Sequence, residues 1–120
     1  MKKTTLVIGA STNPSRYSFL AINRLREHDH PVHALGLKTG RVGDVDIFTE
    51  QKVFSDIHTV TLYVGPSHQE KIRDYVISLK PHRVIFNPGT EDELFQSMLK
   101  NAGIPFEEAC TLVMLGTGQY

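Results

Sequence analysis

The run Thr4-Thr5-Leu6-Val7-Ile8 passes without a linker into Gly9-Ala10-Ser11-Thr12-Asn13-Pro14-Ser15-Arg16, and helical spacing begins at Tyr17. An apolar strand, a small-residue turn and an amphipathic helix in immediate succession form the first half of a βαβ unit, whose return strand is parallel. Four further runs have strand character: Pro31–Leu35, Thr59–Val64, Arg83–Phe86 and Pro105–Ala109. All but the last are rich in Val, Ile, Leu or Phe with little alternation, the pattern of strands covered on both faces. Pro105–Ala109 is more polar and suits a sheet edge.

Helical patterns separate these runs. Tyr17–Glu27 carries Leu20, Ala21, Ile22 and Leu25. Ser67–Leu79 carries Ile72, Tyr75, Val76 and Leu79, with Ser67 as a cap after Pro66. Thr90–Ala102 carries Leu94, Phe95, Met98, Leu99 and Ala102. Thr90-Glu91-Asp92-Glu93 reads as a capping box, and Gly103 as a C-terminal stop. The alternation predicts an α/β, three-layer, doubly wound Rossmann-like fold. Its five-stranded, mainly parallel sheet has order 3-2-1-4-5 and right-handed crossovers. Gly36–His58 breaks the alternation. With Gly36, Gly40 and Gly43, then Val45-Asp46-Ile47-Phe48, it predicts a loop, a short extended piece and one helical turn. The 120 residues suit one domain, 1–120.

Composition excludes several classes of partner. Formal net charge is zero and no block of like charge occurs, so neither nucleic acid nor another polyanion is expected. The apolar runs are far too short to span a membrane. Met1-Lys2-Lys3 leads straight into a strand, without the apolar core of a signal peptide. The single cysteine, Cys110, permits no internal disulfide and fits a reducing, cytoplasmic setting. Cys110 follows Glu107 and Glu108, a poor setting for a thiolate. His28, His30 and His33 span a helix end, a turn and a strand start, and match no structural zinc spacing. No metal site and no catalytic residue is expected.

The first βα turn is the candidate site. Ligands of open α/β sheets sit at the carboxyl ends of the strands, beside the switch point. Gly9 permits the tight turn, Ala10 and Ser11 let a phosphate near the main chain, and the helix that follows aims its N–H groups there. Ser11 and Asn13 add hydrogen bonds and Arg16 a guanidinium. The G-x-G-x-x-G fingerprint of dinucleotide enzymes is absent. NAD-binding sheets carry an acid after strand two for the ribose hydroxyl. Here Gly36-Leu37 is followed by Lys38 and Arg41, with no acid before Asp44. Those cations favour a nucleotide with an additional phosphate, and both NADP and coenzyme A (CoA) qualify. Val64-Gly65-Pro66-Ser67 and Asn87-Pro88-Gly89-Thr90 would line the same crevice.

The loop Gly9-Ala10-Ser11-x-Asn13-Pro14-x-Arg16, the block Asn87–Leu94 with Ala102-Gly103-Ile104, and the block Glu108–Leu115 together resemble the small single-domain CoA-binding proteins. These are similar to the CoA-binding domain of the succinyl-CoA synthetase α subunit. The resemblance covers nearly the whole chain. It implies a Rossmann-like fold that holds the CoA nucleotide at the loop after the first strand. By residue it implies Gly9, Ala10, Ser11, Asn13 and Arg16 in that loop, and Lys38 after strand two. Val64 and Pro66 follow strand three, and Asn87, Pro88 and Gly89 form the turn after strand four. The family usually has Asn-Pro before the basic residue, where this chain has Gly36-Leu37. The expected function is a stand-alone module for CoA or acyl-CoA. The alternatives are a small NADP-binding oxidoreductase or a CoA-dependent transferase component. The expected partner is a small nucleotide ligand, and a homodimer or a partner protein is compatible with so small a sheet.

Overall fold

The computed structural model describes residues 2–120. In chain order they form β1 (Thr5–Ala10), α1 (Tyr17–Glu27), β2 (Val32–Gly36), β3 (Gly40–Val42), β4 (Val45–Phe48) and β5 (Thr59–Leu62). A 3-10 turn (Pro66–His68) follows, then α2 (Arg73–Leu79), β6 (Arg83–Phe86), α3 (Glu93–Asn101), β7 (Phe106–Glu108) and α4 (Thr111–Gly116). The strands make one sheet in the order β3-β4-β2-β1-β5-β6-β7. β3 runs antiparallel to β4, and every other pairing is parallel.

Successive strand residues point to opposite faces, and this divides the core in two. Leu6 and Ile8 of β1 join Val60, Leu62, Val84 and Phe86 beneath Tyr75, Val76 and Leu79 of α2 and Phe95 and Leu99 of α3. Val7 and Ala10 join Ala34, Ile47 and Ile85 beneath Ile22 and Leu25 of α1 and Met114 and Leu115 of α4. Every residue of β5 is buried, which explains its lack of alternation. The layered, mostly parallel Rossmann-like plan is as expected.

The five-strand count and the order 3-2-1-4-5 are corrected. The segment read as loop and extended piece is a hairpin, β3 and β4, turned at Gly43 with φ +59°. β4 pairs with β2 and takes the place assigned to Thr59–Val64, while that strand lies on the other side of β1. Two short strands, one alternating between buried and exposed positions, carry too little apolar signal to be read from sequence.

The helices also need adjustment. α1 has the expected bounds. The second helix starts at Arg73, after the 3-10 turn, so Ser67 does not cap it. The third starts at Glu93 with Asp92 as its cap, whose carboxylate accepts from the Leu94 N–H at 3.2 Å. Thr90, expected as the cap, donates to the Asn87 carbonyl at 2.8 Å. Gly103, at φ +74°, stands just past the helix end as expected. α4 was not anticipated. No helix among the described residues is long and apolar enough to cross a membrane.

Candidate functional site

The carboxyl ends of β1, β2, β5 and β6 open into a cleft of about 860 Å³. Its floor is the β1–α1 loop, and this loop is held by its own side chains. Ser11 Oγ accepts from the Asn13 N–H at 3.0 Å, and Asn13 Oδ1 accepts from the Ser15 N–H at 3.0 Å and from Ser15 Oγ at 2.8 Å. Pro14 fixes φ between these two turns. Gly9 has φ +93°, and a Cβ there would lie 2.9 Å from the Tyr63 carbonyl carbon and oxygen. Only glycine lets β1 turn so close to β5.

Helix α1 begins at the cleft. Arg16 stands at its N-cap without a side-chain capping bond, and no acid occupies its first turn. The positive end of the helix is therefore left to whatever fills the cleft. Arg16, Tyr17 and Ser18 all line it. Across from them stands the short β2–β3 connection with Leu37 and Lys38. It is seated by two glycines: a Cβ at Gly36 would meet the Ala10 carbonyl oxygen at 2.4 Å, and one at Gly40 would meet Thr12 Cγ2 at 2.5 Å. The two cations after β2 part company. Lys38 faces the cleft, whereas Arg41 donates to the Gly43 carbonyl at 3.1 Å and pairs with Asp46 at 3.4 Å. Among the described residues, neither Arg16 nor Lys38 has an ion-pair partner.

The opposite wall comes from the β5–α2 and β6–α3 loops: Val64, Gly65, Ser67, His68, Pro88, Gly89 and Thr90. Tyr63 lies beneath them, and burial pushes its hydroxyl up to about 12, so it stays protonated at neutral pH.

Of the residues expected at the site, Gly9, Ala10, Ser11, Arg16, Lys38, Val64, Pro88 and Gly89 converge on the cleft. Asn13, Pro66 and Asn87 do not line it. Asn13 shapes the loop, as above, and Pro66 opens the 3-10 turn. Asn87 turns inward, 2 % exposed. Its Nδ2 donates to Thr61 Oγ1 at 2.7 Å and to the Leu62 carbonyl at 2.8 Å, and its Oδ1 accepts from the Thr111 N–H at 2.9 Å. It ties β5 and β6 to the start of α4. Thr12 and Ser15, within the expected loop but not singled out in it, also line the cleft, and Tyr17, Ser18, Leu37 and Tyr63 line it without having been anticipated. Their sequence signal is position alone: Tyr17 and Ser18 open α1, and Leu37 and Tyr63 directly follow β2 and β5. Cys110 is half-buried and not among the lining residues. The three histidines diverge: His28 contacts the Arg24 carbonyl, His30 accepts from the Lys3 N–H, and His33 stacks on Phe54.

Comparison with known proteins bears on this architecture. The model of the CoA binding domain family matches residues 3–116. No curated protein matches the chain. A crystal structure of an uncharacterised protein is 43 % identical with a TM-score of 0.97, over 100 % of this chain and 99 % of that one. A Thermus thermophilus protein (cell-free ID.343) is 22 % identical with a TM-score of 0.86, over 99 % of this chain and 91 % of its own. An oxidoreductase from Bacillus cereus shares the fold at 14 % identity and a TM-score of 0.61, over 88 % of this chain and 34 % of that one. With a family match across nearly its whole length, the chain belongs to the CoA binding domain family.

Proposed function

We propose that the domain binds CoA or an acyl-CoA through its nucleotide, as a binding module, in the cleft at the carboxyl ends of β1, β2, β5 and β6. One observation carries this reading: two cations without ion-pair partners, Arg16 and Lys38, and the uncapped start of α1 share one cleft. A ligand with two separated phosphate groups uses all three. The pyrophosphate lies on the β1–α1 loop, against Gly9, Ala10 and Ser11, with Arg16 as a bidentate donor. The additional ribose phosphate lies at Lys38. Val64, Pro88 and Gly89 border the rest of the ligand, Pro66 and Asn87 hold the loops that carry them, and Asn13 shapes the β1–α1 loop under the pyrophosphate.

Calorimetry with CoA, dephospho-CoA, NADP and NAD tests this reading. CoA is expected to bind in the micromolar range, and dephospho-CoA about tenfold or more weaker through loss of one charge-assisted contact. Arg16→Ala is expected to weaken CoA by at least as much. Failure of CoA to bind below millimolar concentration overturns the reading. Equal binding of NAD and CoA removes Lys38 from it, and tighter binding of NADP than CoA favours a nicotinamide-dependent role.

A further inference from the structure

Gln69 has no exposed surface, although it follows three exposed residues. Its side-chain amide donates twice. One hydrogen goes to the Val64 carbonyl at 2.9 Å and the other to the Thr90 carbonyl at 2.6 Å. Both acceptors belong to residues that line the cleft, one on each of the two loops of its second wall. The amide has no alternative orientation, because a flipped group would set Oε1 against two carbonyl oxygens. In the orientation required, Oε1 is buried and finds no hydrogen-bond partner. Leaving a buried acceptor unpaired opposes folding, so the residue is kept there against a local cost. What it secures is the spacing of the loops, which meet where a Cβ at Gly65 would lie 4.0 Å from the Gly89 carbonyl oxygen.

We propose that Gln69 is a positioning residue that sets the gap between the β5–α2 and β6–α3 loops, and that the wall it holds takes the uncharged arm of the ligand. The charge distribution gives the second half of the proposal. Arg16 and Lys38 stand on the β1–β2 side, whereas the lining of the Val64–His68 and Pro88–Thr90 wall holds no lysine or arginine, and the Glu91 carboxylate at its rim, accepting from the Gly89 N–H at 2.9 Å, repels phosphate. The phosphates are drawn to the first side. The segment left for the second is neutral and hydrogen-bonding, which describes an amide-bearing chain. This inference rests on the reading of the cleft as a CoA site.

The test uses Gln69→Met, similar in length but without donors, and Gln69→Asn, which keeps an amide too short to span both carbonyls. Affinity is measured for CoA and for its adenosine bisphosphate fragment, which lacks the uncharged arm. Hydrogen exchange is followed over residues 64–69 and 88–94. Both variants are expected to bind CoA about tenfold more weakly, to bind the fragment as the wild type does, and to exchange faster in both segments. Equal losses for CoA and the fragment overturn the assignment of the wall to the uncharged arm. Exchange unchanged in both segments overturns the clamp. If the wild type itself does not bind CoA, the function reading fails and the exchange arm still decides whether Gln69 holds the two loops.

Discussion

The surroundings of Gly36 give the reason for glycine there. The backbone of β2 comes against β1 at an irregularity, where Ala10 pairs with Gly36 after Ile8 pairs with Leu35. A methyl group at Gly36 would collide with the Ala10 carbonyl oxygen, which cannot swing away, and with Ile47 Cγ2 at 2.9 Å. Gly36→Ala is therefore expected to destabilise by about 2 kcal/mol or more, as overpacking against backbone does. Gly9→Ala should be as costly and should also weaken ligand binding, since it strains the turn itself. Gly116→Ala is the control. It lies in α4, and an added Cβ meets nothing within 4 Å, so it should be neutral or stabilise by up to about 1 kcal/mol. Urea denaturation of the three variants checks the ranking. Gly9 and the small residues after it were readable from sequence because small residues at a strand end have few other uses. The inward turn of Asn87 was not legible, because a turn motif marks where the chain bends and not which way a side chain points.

At the level of elements, what could be read tracks the length and apolar content of each segment. α1 has eleven residues and four buried positions, and its bounds were legible. β3 and β4 have three and four residues; β4 joins the sheet by pairing with β2, β3 joins it only through β4, and segments this short carry too little apolar pattern to mark them as strands. The start of α3 was placed at Thr90 because Thr90 and Glu93 have capping-box spacing. Asp92 takes the role because it makes two bonds there: it caps α3, and it pairs with Arg73 of α2 at 2.7 Å, with both side chains about 15 % exposed. The same carboxylate thus joins the two helices whose loops form the second wall of the cleft. Asp92→Asn should retain the cap and lose the ion pair, costing about 1–2 kcal/mol. Asp92→Ala should lose both and leave the Arg73 guanidinium mostly buried and unpaired, costing about 3 kcal/mol. Urea midpoints that fall equally for the two substitutions would show that the ion pair alone matters.

Across the whole molecule, the cleft occupies one end of the sheet and a cluster of histidines and cations occupies the other. Lys2, Lys3, His28, His30, His58, His82 and Arg83 gather near the starts of the strands, and His58 and His82 have ring centroids 5.0 Å apart. Tyr120 is folded into this cluster: its hydroxyl bonds Thr5, its ring meets His30 edge-on, and Arg83 lies 4.5 Å above it. Burial, aided by Lys2 and Lys3, lowers His30 from 6.5 to about 4. Burial also lowers His33 and His58, the latter with help from Arg83. Each of these groups is harder to protonate folded than unfolded. Between pH 6.5 and about 4 the unfolded chain binds more protons, so stability must fall as the pH falls through that window. Asp44, held low by Arg26, adds a further loss only in more acid solution, below the ordinary carboxylate range. Thermal melts should therefore be flat between about pH 7 and 9 and decline from about 6.5 downward. His30→Gln, which keeps an acceptor for the Lys3 N–H but no titrating group, should shallow that decline. A melt of His30→Gln as steep as that of the wild type would assign the loss to His33 and His58. In either case ligand affinity near neutral pH should be unaffected by His30→Gln, because the cluster and the cleft lie at opposite ends of the strands.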